Sequence, residues 1–183
     1  MSRDQFGTVF LIGAGPGDPD LLTVKAQKLL SECDALVYDS LIPLELLEVV
    51  PKNCQLYSVG KRLGHHSVPQ RKTNEILYDL SKSCTSIVRL KGGDPFLFGR
   101  GAEEALYLNK KGVPVEVVPG VTSGIAAPAY VGIPLTHRLV GSSVTFVTGH
   151  ESIDKRRPAV NWRSLAKSSD TIVIYMGVNN LKF

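Results

Sequence analysis

A chain of 183 residues that is 43% hydrophobic and 21% charged has enough apolar side chains to bury a core and too many to stay disordered. Its net charge of +4 suits an anionic partner, but with six Phe, six Tyr, one Trp and no run of Lys or Arg, nothing marks a nucleic-acid surface. No apolar stretch approaches the ~20 residues of a membrane span, no export signal is read before the first apolar run, and Cys33, Cys54 and Cys84 form no Cys-x-x-Cys pair, so a cytoplasmic protein with neither membrane partner nor disulfide framework is expected.

Along the chain, five short β-type runs alternate with helical patterns: Val9 to Ile12, Ala35 to Tyr38, Leu56 to Val59, Ile87 to Leu90 and Val115 to Val118. The alternation predicts an α/β fold, a parallel five-stranded sheet with flanking helices. Leu22, Ala26, Leu29, Leu30 and Cys33 recur at spacings of three and four and form one apolar helical face. Ser67-Val68-Pro69-Gln70 has capping-box spacing with a proline in the first turn, and is expected to open the helix carrying Ile76, Leu77 and Leu80. Gly101 to Lys111 reads as a further helix closed by Gly112. The runs Val144 to Val147 and Thr171 to Tyr175 begin a second α/β unit, and two strands are too few to bury a sheet face unaided. The expected division is residues 1–136 and 137–183, with the second domain completed by another chain or by residues beyond Phe183.

In open parallel sheets ligands bind beyond the carboxyl ends of the strands. All five runs end in unusual residues there: Gly13-Ala14-Gly15-Pro16-Gly17-Asp18-Pro19, then Asp39, then Gly60-Lys61-Arg62, then Lys91-Gly92-Gly93-Asp94-Pro95, then Pro119-Gly120-Val121-Thr122-Ser123. The first loop is not a dinucleotide fingerprint. Its glycines stand at 13, 15 and 17, and Pro16 and Pro19 interrupt the turn that should deliver helix N–H groups to a pyrophosphate. Gly92 and Gly93 leave main chain bare beside one carboxylate, a surface suited to a cationic or amino-acid-like ligand; alternatively Asp94 caps a helix start, as Thr122 and Ser123 also could. Asp39 and Lys61 could act as proton acceptor and donor beside one cleft, or could be solvated strand ends. Arg62, Arg89, Arg100 and Arg138 could each receive a carboxylate or remain surface charges. His65, His66, His137 and His150 lack the i, i+4 spacing of a zinc site, and no metal is expected.

At these same loops the chain resembles the uroporphyrinogen-III C-methyltransferases of the tetrapyrrole methylase superfamily. The likeness lies in the loop from Gly13 to Pro19, Val37-Tyr38-Asp39, Val59-Gly60-Lys61-Arg62, Arg89-Leu90-Lys91-Gly92-Gly93-Asp94-Pro95-Phe96, Phe98-Gly99-Arg100-Gly101, Pro119-Gly120-Val121-Thr122-Ser123, Gly132-Ile133-Pro134-Leu135-Thr136-His137-Arg138, Val147-Thr148-Gly149-His150 and Tyr175-Met176-Gly177. It covers essentially the whole chain. The resemblance implies methyl transfer from S-adenosyl-L-methionine to carbons 2 and 7 of uroporphyrinogen III, giving precorrin-2 and S-adenosyl-L-homocysteine, with the cleft between two α/β domains of a homodimer. It places cofactor contacts on Pro16, Gly92, Gly93, Asp94, Leu97, Thr122, Ser123 and Met176, the proton acceptor on Asp39 and the proton donor on Lys61. Aligning nucleophile and methyl group supplies ~7–11 kcal/mol of such a barrier, so the glycine-lined bed is expected to matter more than any single acid or base. The substrate's acetate and propionate groups would account for the arginines and the positive charge. The alternatives carried forward are a sister methylase such as a precorrin-4 methyltransferase, a nicotinamide-dependent oxidoreductase, and a ligand-binding fragment without turnover.

Overall fold

The computed structural model describes residues 6–60, 68–149 and 160–180. In the first part of the chain, apolar side chains alternate between the two faces of each strand, because successive residues of a strand point to opposite sides. In β1 (Thr8–Gly13), Val9 and Leu11 join one buried cluster and Ile12 the other. In β2 (Ala35–Tyr38), Ala35 and Val37 divide from Leu36 in the same way. With β3 (Gln55–Ser58), β4 (Ser86–Lys91) and β5 (Val115–Val118) they form a five-stranded sheet in the order β3-β2-β4-β1-β5, every pairing parallel.

Ala26 and Leu30 of α1 (Val24–Ser31) pack with Ile12, Leu36 and Leu90 on one face. Leu77 and Leu80 of α2 (Gln70–Ser81) and Leu108 of α3 (Gly101–Lys110) pack with Leu11, Val37 and Ile87 on the other. Each fully buried Leu contributes about 1.5–3 kcal/mol. Helix α1 is opened by Thr23, whose hydroxyl accepts the Ala26 N–H at 3.2 Å. Helix α3 stops at Gly112, where φ is +78° and a side chain would strain the backbone. The expected strands are present, each within one or two residues of its predicted ends.

Two local expectations change. Helix α2 begins at Gln70 with Pro69 as its cap residue, and among the described residues no side chain caps it. The Gln70 amide instead donates to Asn74 at 3.1 Å and to Glu104 at 2.9 Å; Ser67 lies outside the described residues. After the first glycine loop there is a 3-10 turn, Pro19–Leu21, capped by Asp18, whose side chain accepts the Asp20 N–H. The α-helix starts only at Val24, so no helix N-terminus abuts the glycines as a dinucleotide site requires.

Internal contacts divide the chain into a unit Met1–Thr122 and a unit Ser123–Phe183. The second contains α4 (Ser123–Tyr130), β6 (Val144–Thr148), α5 (Trp162–Ser168) and β7 (Thr171–Tyr175), with β6 and β7 paired in parallel from Val144–Thr171 to Thr148–Tyr175. Asp170 ties the strand starts together by accepting the N–H groups of Ser142 and Ser143 at 2.9 and 3.0 Å and the Ser143 hydroxyl at 2.8 Å. The Gly124 N–H donates to the Tyr175 hydroxyl at 2.9 Å. No helix among the described residues is long and apolar enough to cross a membrane.

Candidate active site

In the first unit the loops after the strands touch one another in sequence across the sheet edge. A methyl group placed on Gly13 would collide with the Gly93 carbonyl and Gly120, and one on Gly120 with Gly93 and Gly13, so the loops after β1, β4 and β5 meet at backbone contact. The Gly15 and Gly93 main chains exchange hydrogen bonds, N–H to O at 3.2 and 2.7 Å, and the Ala14 N–H donates to the Lys91 carbonyl at 2.7 Å. Toward the other side, a methyl group on Gly60 would collide with Ser40, which brings together the loops after β3 and β2.

This packing corrects part of the expected ligand surface. The amide and carbonyl of Gly93 are occupied by Gly15, with φ of +65° at Gly93, so its polar main chain faces the neighbouring loop. Gly92 is the open position: among the described residues, a methyl group there would have only the Leu41 side chain nearby, at 3.8 Å. Asp94 caps no helix. It closes its own turn by accepting the Phe96 N–H at 2.8 Å and reaches the last loop by accepting the Gly120 N–H at 3.1 Å. A methyl group on Gly93 would stand 3.8 Å from the Cα of Thr122, which is itself buried. Pro16, in the loop after β1, and Asp94 and Leu97, in the loop after β4, are half-buried. Phe98 and Arg100 hold left-handed φ of 52° and 59° in the stretch that follows, a costly backbone of the kind that persists at ligand sites.

Beneath the loops lies a buried cluster of charges. Glu104 of α3 is fully buried, and its carboxylate receives the Arg89 Nε at 3.1 Å and the Gln70 amide at 2.9 Å, while Lys91 Nζ lies 3.2 Å from Oε1 and 3.1 Å from Oε2. Arg89 continues outward: Nη1 donates to the carbonyls of Leu90 at 3.2 Å and Val37 at 3.5 Å, and Nη2 donates to Asp39 Oδ1 at 2.7 Å. Burial first, and the Arg89 charge second, draw the Lys91 ammonium below the ordinary lysine value, against the opposing pull of Glu104 and Asp39. Arg89 is therefore not an exposed receiver of substrate carboxylates; it is 3% exposed and committed to internal partners. Arg100 pairs with Glu103 at 2.7 Å on the surface of α3.

The structure brings Pro16, Asp39, Gly92, Gly93, Asp94, Leu97 and Thr122 to one sheet edge. Lys61, Arg62, His65, His66 and His150 lie outside the described residues. In the second unit Ser123 is exposed at the start of α4, and Met176, with left-handed φ of 55°, follows β7 at 57% exposure. Glu104, Gln70 and Lys91 carried no assignment from sequence. Their signal was two basic residues at alternate positions of an otherwise apolar central strand, Ile87-Val88-Arg89-Leu90-Lys91, which a buried parallel sheet tolerates only with a carboxylate opposite.

A family model of the tetrapyrrole (corrin/porphyrin) methylases matches residues 8–182. The chain belongs to this family. It is 57% identical over 181 residues to a uroporphyrinogen-III C-methyltransferase of Synechocystis, spanning 99% of this chain and 69% of that protein. Among solved structures it resembles the uroporphyrin-III C-methyltransferase of Thermus thermophilus complexed with S-adenyl homocysteine, at 40% identity and a TM-score of 0.77 over 94% of this chain and 67% of that one. A cobalt precorrin-4 methyltransferase of cobalamin biosynthesis superposes with a TM-score of 0.82 over 100% of this chain and 74% of its own, at 30% identity. The precorrin-4 enzyme thus shares the fold closely, while side-chain identity runs toward the uroporphyrinogen-III enzymes.

Proposed function

We propose that this chain is a uroporphyrinogen-III C-methyltransferase that carries methyl groups from S-adenosyl-L-methionine to carbons 2 and 7 of uroporphyrinogen III, yielding precorrin-2. The observation that carries this reading is the 57% identity with the Synechocystis enzyme along 99% of the chain, against 30% with the precorrin-4 methylase. The nicotinamide alternative lacks its helix start behind the glycine loop.

The loop surface fits the donor. Gly92 leaves open backbone next to Leu41, and even a methyl group on Gly93 would only reach van der Waals range of Thr122, so a side chain at Gly92 would occupy space a ligand could use. Pro16, Gly92, Gly93, Asp94, Leu97 and Thr122 of the first unit would hold it. When bound, S-adenosyl-L-methionine supplies a methyl group activated by its sulfonium. The chain's own work is orientation: loops locked by Gly13, Gly93 and Gly120 cannot shift independently, and positioning of this kind accounts for much of the acceleration of a transfer that requires little covalent help. Asp39 takes up a proton at its carboxylate and Lys61 returns one. A homodimer in the cytoplasm belongs to the same reading.

The test supplies methyl-labelled S-adenosylmethionine and uroporphyrinogen III. Label in the tetrapyrrole, together with calorimetric binding of S-adenosylhomocysteine, is the expected result. Binding of NAD without S-adenosylhomocysteine, or label only with a precorrin-4 substrate, would overturn it.

A further inference from the structure

We propose that Glu104 is a positioning residue for the reaction: acting through Arg89, it fixes the carboxylate of Asp39 at the sheet edge. The inference rests on the methyltransferase reading above and on Asp39 as its proton acceptor.

The groups form a continuous path from the protein interior to the site. Arg89 and Lys91 occupy alternate positions of β4 and so share the face that carries Ile87 toward α2 and α3. Both are 3% exposed, and Glu104 is the carboxylate that meets both of them. Its orientation is held by three donors on two elements, and the donor from α2, Gln70, is itself bonded to Asn74. Arg89 then presents a rigid planar fork, with one edge on Glu104, Nη1 on the carbonyls of Leu90 and Val37, and Nη2 on Asp39. Turning the guanidinium to release Asp39 would break the bond to Glu104 as well.

At the outer end, the Asp39 side chain is 31% exposed. Among the described residues its hydrogen bond is with Arg89 through Oδ1, which leaves Oδ2 for a reacting molecule. The Val37 carbonyl anchors the same guanidinium to β2, two residues before Asp39, so the fork sets both the distance and the direction of the carboxylate. Lys91 balances the second negative charge and stands directly before the open Gly92. Stability alone does not call for such a cluster, because well-packed apolar residues of similar volume commonly match or exceed a buried ion network. What an apolar core would not provide is a fixed carboxylate at the strand end.

The experiment measures kcat, KM for uroporphyrinogen III and calorimetric affinity for S-adenosylhomocysteine in the wild type, Glu104→Gln, Asp39→Asn and the double variant. Glu104→Gln is expected to lower kcat roughly 10- to 100-fold, the scale of a misplaced reacting group, with S-adenosylhomocysteine affinity unchanged. The double variant should be no slower than Asp39→Asn alone, since Glu104 acts only through Asp39. Where Glu104→Gln fails to fold, Glu104→Gln with Lys91→Met keeps the buried charges balanced and takes its place in the same cycle. Multiplicative losses in the double variant, or an unchanged kcat in a folded Glu104 variant, would overturn the inference while the methyltransferase reading stands. A wild type that binds S-adenosylhomocysteine but methylates no tetrapyrrole would instead overturn that reading, and this inference with it.

Discussion

Replacing Glu104 by Leu measures how strongly the buried charges depend on one another. Glu104 is fully buried and the side chains of Arg89 and Lys91 are each 4% exposed, so solvent does not screen what the substitution leaves behind. Arg89 keeps Asp39, but Lys91 loses its only carboxylate contact among the described residues and the Gln70 amide loses an acceptor. Breaking a buried pair from one side costs about 3–5 kcal/mol, and an orphaned amide adds about 1–3. The incoming leucine returns about 1.5–3 kcal/mol of apolar burial. The expected net loss is therefore centred on about 4 kcal/mol within a span of about 1–6.5, and a loss of about 4 kcal/mol lowers Tm by about 8–16 °C for a chain of this size. Urea unfolding followed by circular dichroism should show a lower midpoint. Changing Lys91 to Met in the same chain should restore most of the loss, because Arg89 keeps Asp39 and the cation that Glu104 had balanced is gone. A Glu104→Leu protein within about 1 kcal/mol of the wild type would refute the reasoning, since it would mean that water or rearrangement already satisfies the two cations.

Gly92→Val should weaken S-adenosylhomocysteine binding while leaving Tm nearly unchanged, because its side chain enters open space beside Leu41; Asp39→Ala should slow turnover more than it weakens that binding, and calorimetry beside steady-state kinetics separates the two. The hydrogen bonds from Ser143 and Ser142 hold the Asp170 carboxyl below the ordinary aspartate range. With the folded value depressed, its contribution is complete above the unfolded value near ~3.9 and is lost as pH falls through the folded one, so protection of the β6 and β7 amides should decline there and Asp170→Asn should abolish that dependence. Burial first and neighbouring Cys54 second push the Cys33 thiol up to about 12, and the two sulfurs lie 3.6 Å apart. At pH 8 native Cys33 should therefore resist a thiolate-specific reagent and become reactive in urea; rapid native labelling would contradict its burial.

Much of the fold was legible because the strands of a buried parallel sheet are short apolar runs ended by glycine, proline or charge. Ala35–Tyr38, Val115–Val118 and Thr171–Tyr175 coincide with their strands for that reason. The start of α2 was less legible: the spacing from Ser67 to Gln70 fits a capping box, yet Gln70 is drawn to Glu104, a residue 34 positions away. The same distance problem hid the role of Arg89, whose partners Asp39 and Glu104 lie 50 and 15 residues from it. At the candidate site, residue types and loop positions could be read, but which glycines spend their main chain on each other could not. Gly92 and Gly93 are adjacent and identical in sequence, and only the pairing of Gly15 with Gly93 distinguishes the open position from the occupied one.

The three-way contact of Gly13, Gly93 and Gly120 also constrains how such a protein can diversify. Neither Gly13 nor Gly120 can acquire a side chain while its neighbours stay where they are, and Gly93 holds a left-handed φ of +65° that side chains rarely adopt, so stepwise mutation at these points leads to dead ends. New ligand preferences must arise around this knot, at exposed positions such as Phe96 and at the open Gly92, where a single change alters the surface without prying the loops apart. The scaffold can thereby keep its donor-binding geometry while the acceptor changes.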